Sequence, residues 1–421
     1  MSQQLEYDWI IVGGGVAGIS IAEILARNGL KVLILEKEPY LGSKLTGVFQ
    51  EWFHTGLLYS IQNDSHFTSK YLLGAIDDMF SYYSGYKNMN IKPGFKGFKI
   101  DNEGWFIDNP MIYSFYKDKF NLKWNYKISK AIWFANQIKN YDFLRRRIGD
   151  LTFLYKFNLK DLFNSYPSLI ENTKTIKSND YGINSRRLLN DLLSIIKINN
   201  GSIKTSTNVK SIKSVNNKVI VTTDKEVYFS KKLVICAAGG INKFSKYKVK
   251  KHFAPILVLE GLKKNTKSFV HLHSNPYKSI NLIKTSDNIG LGGGISFSNK
   301  DQVMPYIDYC LNLHKQINSD IKLIDYYIPE KEELVVKNED RNYQFHIKNI
   351  SKNVYGVVLG KFTLMFSLAP EFFRKMYGYN SSTNIKNINQ SKHINKLLSK
   401  LEWEKIYLNK VKNNGYYKNS K

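Results

Sequence analysis

Apolar and polar residues follow a regular rhythm in the first forty positions. Asp8 to Val12 (DWIIV) is a short apolar run, Ile19 to Asn28 has helical spacing until Gly29 ends it, and Lys31 to Leu35 (KVLIL) is a second apolar run finishing at Glu36. The pattern predicts strand, helix and strand. Between the first strand and the helix lies Gly13-Gly14-Gly15-Val16-Ala17-Gly18, which fits GxGxxG. Gly13 permits the tight turn, Gly15 lets backbone approach a pyrophosphate, and Gly18 lets the helix pack closely on the strand. Phosphates would sit with Val16 and Ala17 at the positive helix N-terminus, while Glu36 accepts hydrogen bonds from a ribose. Dinucleotide binding is the expectation, against a merely structural glycine turn.

The rhythm returns downstream. Lys232 to Cys236 (KLVIC) is an apolar strand followed by Ala237-Ala238-Gly239-Gly240, and an alternating, hairpin-like stretch from Ile203 to Phe229 precedes it. Residues 61–179 read as helical and aromatic with few glycines. Residues 245–350 alternate like strands at Ile256 to Leu262 and Phe269 to Leu272, and carry a glycine cluster at Gly290 to Gly294. From Tyr379 the chain is polar and lysine-rich, with Ile394, Leu397, Leu398, Leu401 and Leu408 at helical spacing. A basic amphipathic helix is expected there, packed back on the body or offered to a membrane surface or partner.

Composition narrows the class. At 421 residues the chain is long enough for two domains, and 43% hydrophobic residues exclude a mainly disordered protein. The formal net charge of +27 points towards a polyanion, nucleic acid or anionic membrane. Only eight of the 62 basic residues are arginine, however, and thinly spread lysine reads more as compositional bias than as a nucleic-acid surface. Cys236 and Cys310 have no disulfide or CxxC spacing. The N-terminus lacks the basic start of a signal peptide, and no apolar run is long enough to span a bilayer. A cytoplasmic protein is expected, with peripheral membrane contact left open.

The N-terminal fingerprint paired with LVICAAGG at 233–240 resembles the two-part FAD domain of flavoprotein oxidoreductases. Gly42-Ser43-Lys44, the stretch Phe53-His54-Thr55-Gly56-Leu57-Leu58-Tyr59, and Asp180 to Val209 extend the likeness. On these four places the chain resembles the D-amino-acid oxidase superfamily of FAD-dependent oxidoreductases, which includes glycerol-3-phosphate and 2-hydroxyglutarate dehydrogenases. The resemblance implies an α/β fold, a Rossmann-like FAD-binding domain with an interleaved α+β substrate domain. It divides the chain into an FAD part at 1–60, 180–244 and 351–378, a substrate part at 61–179 and 245–350, and a basic tail at 379–421.

It also implies a cofactor set of Gly13, Gly15, Val16, Ala17, Gly18, Glu36, Lys37, Ser43, Lys44, Val209, Ala237, Gly239, Gly360, Phe362 and Thr363. The family's C-terminal flavin segment corresponds loosely to Asn353 to Met376, where Lys361-Phe362-Thr363 departs from the usual small residues.

Flavin accepts a hydride, so the protein needs to position a C–H bond and handle a proton. The resemblance brings His54 near the flavin ring, as a base, a substrate contact or a covalent tether; a structural histidine is the plain reading. His271 and His273 alternate in FVHLHS, which puts them on one strand face, towards substrate or solvent; with no third ligand nearby, no metal is expected. His346 is a weaker candidate. Lys361 would lie near the flavin edge, where positive charge stabilises the anionic reduced ring. Arg145-Arg146-Arg147, among Tyr141, Phe143, Phe153 and Tyr155, is an interfacial patch or a solvated helix face. Arg186 and Arg187 serve an anion or surface salt bridges.

The leading expectation is oxidation of a CH–OH or CH–NH bond of a small, anionic metabolite, with 2-hydroxy acids slightly ahead of amines. Oxygen, a quinone or another carrier would take the electrons. A tRNA-modifying flavoprotein and a flavin-dependent sugar-nucleotide mutase are the alternatives.

Overall fold

A computed structural model describes residues 6–61, 67–94, 97–138, 173–335, 341–386 and 392–413. The first apolar run forms the strand Glu6–Val12, and the second forms Val32–Leu35 parallel to it, with Trp9 opposite Val32 and Val12 opposite Leu35. On the other side Glu6–Val12 pairs in parallel with Val227–Ile235. Trp9, Ile10 and Ile11 have no solvent exposure. These strands are covered on both faces, which is why their sequences run apolar without alternation. The helix Val16–Arg27 crosses between the two parallel strands and buries nearly every residue.

The same sheet continues through Ser202–Lys204 beyond Val32–Leu35, and through the antiparallel strands Val209–Val215 and Lys218–Thr223 beyond Val227–Ile235. Val354–Leu359 joins Val227–Ile235 in parallel and carries Phe345–Ser351 on its outer side, making eight strands in all. The helix Ser185–Ile198 packs beside the first helix; Asn184 caps it by accepting the Arg187 N–H.

A second sheet of seven strands brings together distant parts of the chain, in the order Lys322–Tyr327, Ile256–Glu260, Ile289–Gly293, Ile280–Lys284, Phe269–Leu272, Ile112–Tyr116 and Thr173–Lys177. Residues 61–179 were expected to be helical, and this expectation is corrected. The helices Phe67–Tyr83 and Leu122–Ile138 are there, but so are short strands between residues 91 and 116 and the strand Thr173–Lys177. In Ile112–Tyr116 the residues Tyr113, Ser114 and Phe115 are all buried, so no alternation marked it as a strand. Gly290 to Gly293 of the glycine cluster prove to be strand as well, and Gly294 follows directly. A Cβ on Gly292 would lie 2.8 Å from the His314 ring, and one on Gly294 would collide with the Tyr306 hydroxyl, so the glycines let the helix Val303–Ile317 sit directly on the sheet.

The tail departs from the single amphipathic helix expected of it. It forms the short helix Lys392–Asn395, a bridge of Leu398 to Leu41, and the helix Glu402–Asn413. Ile394, Leu398 and Leu401 are buried, and Trp403 and Ile406 pack on Ile256, Val258, Ile289 and Leu291. The tail packs back on the body. The Arg145–Arg147 cluster, with Tyr141, Phe143, Phe153 and Tyr155, lies outside the described residues.

Candidate functional site

The glycine turn is a backbone cradle. Gly13 has φ +110, and a Cβ there would sit 2.8 Å from the Cys236 carbonyl oxygen. A Cβ on Gly18 would collide with the Gly13 carbonyl. Only glycine therefore allows turn, helix and strand to approach this closely. At Gly15 the sole neighbour a Cβ would meet is the Thr46 hydroxyl at 3.3 Å, so the face above the helix N-terminus is open. A phosphate-bearing dinucleotide fits such a face, because the helix N-terminus presents backbone N–H groups and positive potential.

Glu36 stands at the end of its strand, where one carboxylate oxygen accepts the Gly14 N–H at 2.6 Å and the other the Glu38 N–H at 2.9 Å. Each oxygen keeps a second lone pair for a ribose hydroxyl. Sequence reading missed Thr46, whose hydroxyl accepts the Val16 N–H at 2.9 Å. The Ser43 hydroxyl bonds the Tyr40 carbonyl, Lys44 pairs with Glu38 at 3.2 Å, and Lys37 is exposed at 3.9 Å from the same carboxylate. Val209 is buried at the start of its strand. Ala237 and Gly239 belong to a 3-10 turn after Val227–Ile235, where Glu332 accepts the Gly239 N–H at 2.7 Å.

Residues 41–54 lead from this cradle to a second cluster. Gly42 donates to the Gly14 carbonyl, and Trp52–Phe53 pairs with Tyr181–Ile183, which brings Trp52 and Thr55 onto Asp180. Asp180 has no solvent exposure and accepts four hydrogen bonds, from the Thr55 N–H (2.8 Å), the Thr55 hydroxyl (2.5 Å), the Tyr113 hydroxyl (2.6 Å) and the Trp52 indole (3.1 Å). Burial nevertheless raises its pKa above the ordinary carboxylate value.

His54 stacks on Trp52 with ring centroids 4.0 Å apart, and its backbone N–H donates to the Thr363 hydroxyl at 2.9 Å. Its Nδ1 is buried without a hydrogen-bond partner, 3.9 Å from Asp180 Oδ2. Burial, then the charges of Lys361 and Lys331, hold the imidazole well below its usual pKa. His54 is therefore neutral at physiological pH.

Those lysines belong to a cationic group. Lys361 lies over the rings of Tyr343 (4.6 Å) and Tyr59 (5.3 Å), and Arg341 over Tyr343 at 4.8 Å. Arg341 grips Glu333 with two nitrogens, the Nε contact at 2.8 Å, and donates to the Ser296 hydroxyl at 2.7 Å. Burial, Lys331 and Arg341 depress the Lys361 pKa strongly; burial and Arg341 bring Lys331 down to about 8. Glu333 is ion-paired with Arg341 and partly offsets the depression of both lysines. Gly360 allows the approach that positions Lys361: a Cβ there would lie 2.5 Å from the Tyr343 carbonyl carbon. Phe362 packs against the core and Thr363 is fully buried.

His54 and Lys361 are therefore brought together, whereas His273 is not. The strand ends at Leu272, and His273 stacks on Tyr116 (4.2 Å) and accepts the Asn275 N–H at 2.9 Å, a turn-stabilising role. His271 is buried 3.3 Å from the Ser114 hydroxyl and His346 meets Asn342 at 3.1 Å. Arg186 and Arg187 make the surface salt bridges, to Glu404 (3.4 Å) and Glu103 (3.7 Å). Among the described residues no cluster of three or more His, Cys, Asp or Glu is placed to hold a metal ion. Lys331, Glu333, Arg341 and Tyr343 escaped the sequence reading. Lys331 and Glu333 stand in the all-charged run Glu330–Glu333, and a run of that kind ordinarily faces solvent.

Comparison with known proteins agrees with this architecture. The family model described as DAO, FAD dependent oxidoreductase, matches residues 8–322. Glycine oxidase from Geobacillus kaustophilus superposes with a TM-score of 0.62 at 14% identity, covering 92% of this chain and 99% of that one. L-alpha-glycerophosphate oxidase from Mycoplasma pneumoniae, solved with FAD bound, also gives 0.62, at 16% identity over 92% and 98% of the two chains. Among curated proteins, digeranylgeranylglycerophospholipid reductase from Picrophilus torridus is 35% identical over 75 residues, 17% of this chain and 18% of that protein. The matches span less than a fifth of the curated relatives' lengths.

Proposed function

The chain belongs to the DAO family of FAD-dependent oxidoreductases, and from that premise we propose that it oxidises the CH–OH carbon of a small anionic metabolite, a 2-hydroxy acid. The observation that carries this reading is His54, a neutral buried imidazole with an unpartnered Nδ1, under the influence of Lys361 and Lys331. Lys331, Lys361 and Arg341 take the substrate carboxylate, and His54 Nδ1 takes the hydroxyl proton as the carbon loses hydride. Asp180 acts at one remove: by tying down Trp52 and Thr55 it fixes the ring on which His54 stacks and the backbone beside it. An amine substrate would bring its ammonium towards three positive groups, which repels it.

Bound FAD supplies the two-electron acceptor for the hydride. Gly13, Gly15, Val16, Ala17 and Gly18, with Ser43, Lys44 and Thr46, would hold its pyrophosphate, and Glu36, Lys37 and Val209 would hold its adenosine. Ala237, Gly239, Gly360, Phe362 and Thr363 would border the ring. The division into FAD part, substrate part and tail belongs to the same proposal, as does oxygen or a quinone as final acceptor.

Anaerobic titration of the FAD-loaded protein tests the substrate class. Bleaching by 2-hydroxy acids, and none by amino acids or N-methyl amines, is expected. The reverse pattern would overturn it.

A further inference from the structure

We propose that the turn between the strand Ile112–Tyr116 and the helix Leu122–Ile138 is a docking tip for the surface of an anionic phospholipid bilayer. Phe120 is 96% exposed and Leu122 81%, more than any other large apolar side chain among the described residues. A single exposed leucine is ordinary. Two such side chains on one turn, with Tyr126 54% exposed one helical turn beyond Leu122, form a continuous apolar edge.

The tip is rigid. Asn121 caps the helix by accepting the Trp124 N–H at 2.9 Å, and the buried Trp124 indole donates to the Tyr116 carbonyl at 2.8 Å. The Asn125 amide holds the Asp118 carbonyl at 2.8 Å, and the Ser274 hydroxyl donates to the Asp118 carboxylate at 3.0 Å. Phe120 and Leu122 are therefore held out in water by a folded turn.

Charge identifies the occupant. Lys117, Lys119, Lys123 and Lys127 surround the apolar pair, against one acid, Asp118, whose carboxylate is committed to Ser274 and the Phe120 N–H. Lysine stems can lie along an apolar surface while their ammonium groups reach phosphates, which is the arrangement a headgroup layer requires. The net charge of +27 adds long-range attraction to the same surface. No helix among the described residues is long and apolar enough to cross a membrane, so the tip enters only the interface. An apolar pair with four lysines makes a reversible attachment.

The test is co-sedimentation of the full-length, FAD-loaded protein with vesicles of phosphatidylcholine, with and without phosphatidylglycerol. Binding is expected only with the anionic lipid, weakening as salt is raised. The double variant Phe120→Ser/Leu122→Ser should lose binding by roughly tenfold or more with unchanged melting temperature and flavin content. Phe120→Trp should show a blue-shifted emission on adding anionic vesicles. Failure of the wild type to sediment with anionic vesicles, or equal sedimentation of the double variant, overturns the proposal. So does concentration-dependent dimerisation abolished by the double variant, because that outcome gives the tip to a second copy of the chain.

Discussion

The glycine cradle at residues 13–18 and the cluster around His54 lie at the two ends of one connecting segment, residues 41–54, yet they are built in opposite ways. The cradle is mainly backbone: its critical contacts are Gly13 to Cys236, Gly18 to Gly13 and the amides of Gly14 and Val16, and two of the four, Gly18 to Gly13 and Gly14 to Glu36, lie within the first forty residues. The His54 cluster is side chain: Trp52, Tyr113, Asp180, Lys331, Arg341 and Lys361 come from positions spread over three hundred residues. The first can be spelled locally because a helix N-terminus and a tight turn need only glycine. The second exists only after both sheets have formed, and its chemistry comes from desolvation, which no short stretch of sequence encodes.

That contrast can be broken by substitution. Gly18→Val should have the largest effect, since even one Cβ collides with backbone; overpacking costs about 1–3 kcal/mol or more. We expect little folded, flavin-containing protein, read from the visible flavin absorbance and a thermal melt. His54→Gln should do the opposite, keeping flavin and melting temperature while kcat falls by roughly 10²–10⁴, the usual worth of a general base. Equal loss of flavin in both variants would show that the two regions are not separate.

Lys361→Met should act more weakly, raising KM for an anionic substrate by about tenfold, equivalent to roughly 1.4 kcal/mol of lost attraction. Its pH signature is specific. Lys361 is among the groups that hold the His54 pKa down, so its removal raises that pKa and moves the acid limb of kcat/KM to higher pH. In the wild type, Lys331 loses its charge as pH rises through about 8, so KM should climb there. The smallest effect is expected from Thr46→Val, which removes the acceptor for the Val16 N–H and should weaken FAD binding by no more than about 1 kcal/mol, measured by fluorescence titration.

Asp180 shows why the second region was hard to read. It stood within a stretch already singled out, but one aspartate beside a tyrosine carries no mark of burial or of four donors converging on it. His273 shows the converse error: alternation with His271 predicted a shared face, but the strand stops one residue earlier and the ring serves a turn. The tail's leucines were correctly apolar, yet the bridge from Leu398 to Leu41 divides what helical spacing drew as one helix.

By itself the sequence determined the strand–turn–helix–strand unit, its acid at Glu36 and its capacity for a dinucleotide, because period, glycine placement and helix polarity are local properties. Only the tertiary structure decided that His54 is neutral with an unpartnered Nδ1, which lysines act on it, and that Lys331 and Glu333 turn inward from a charged run. Those outcomes depend on burial and on charges meeting across long loops, which are fixed when the sheets close around them.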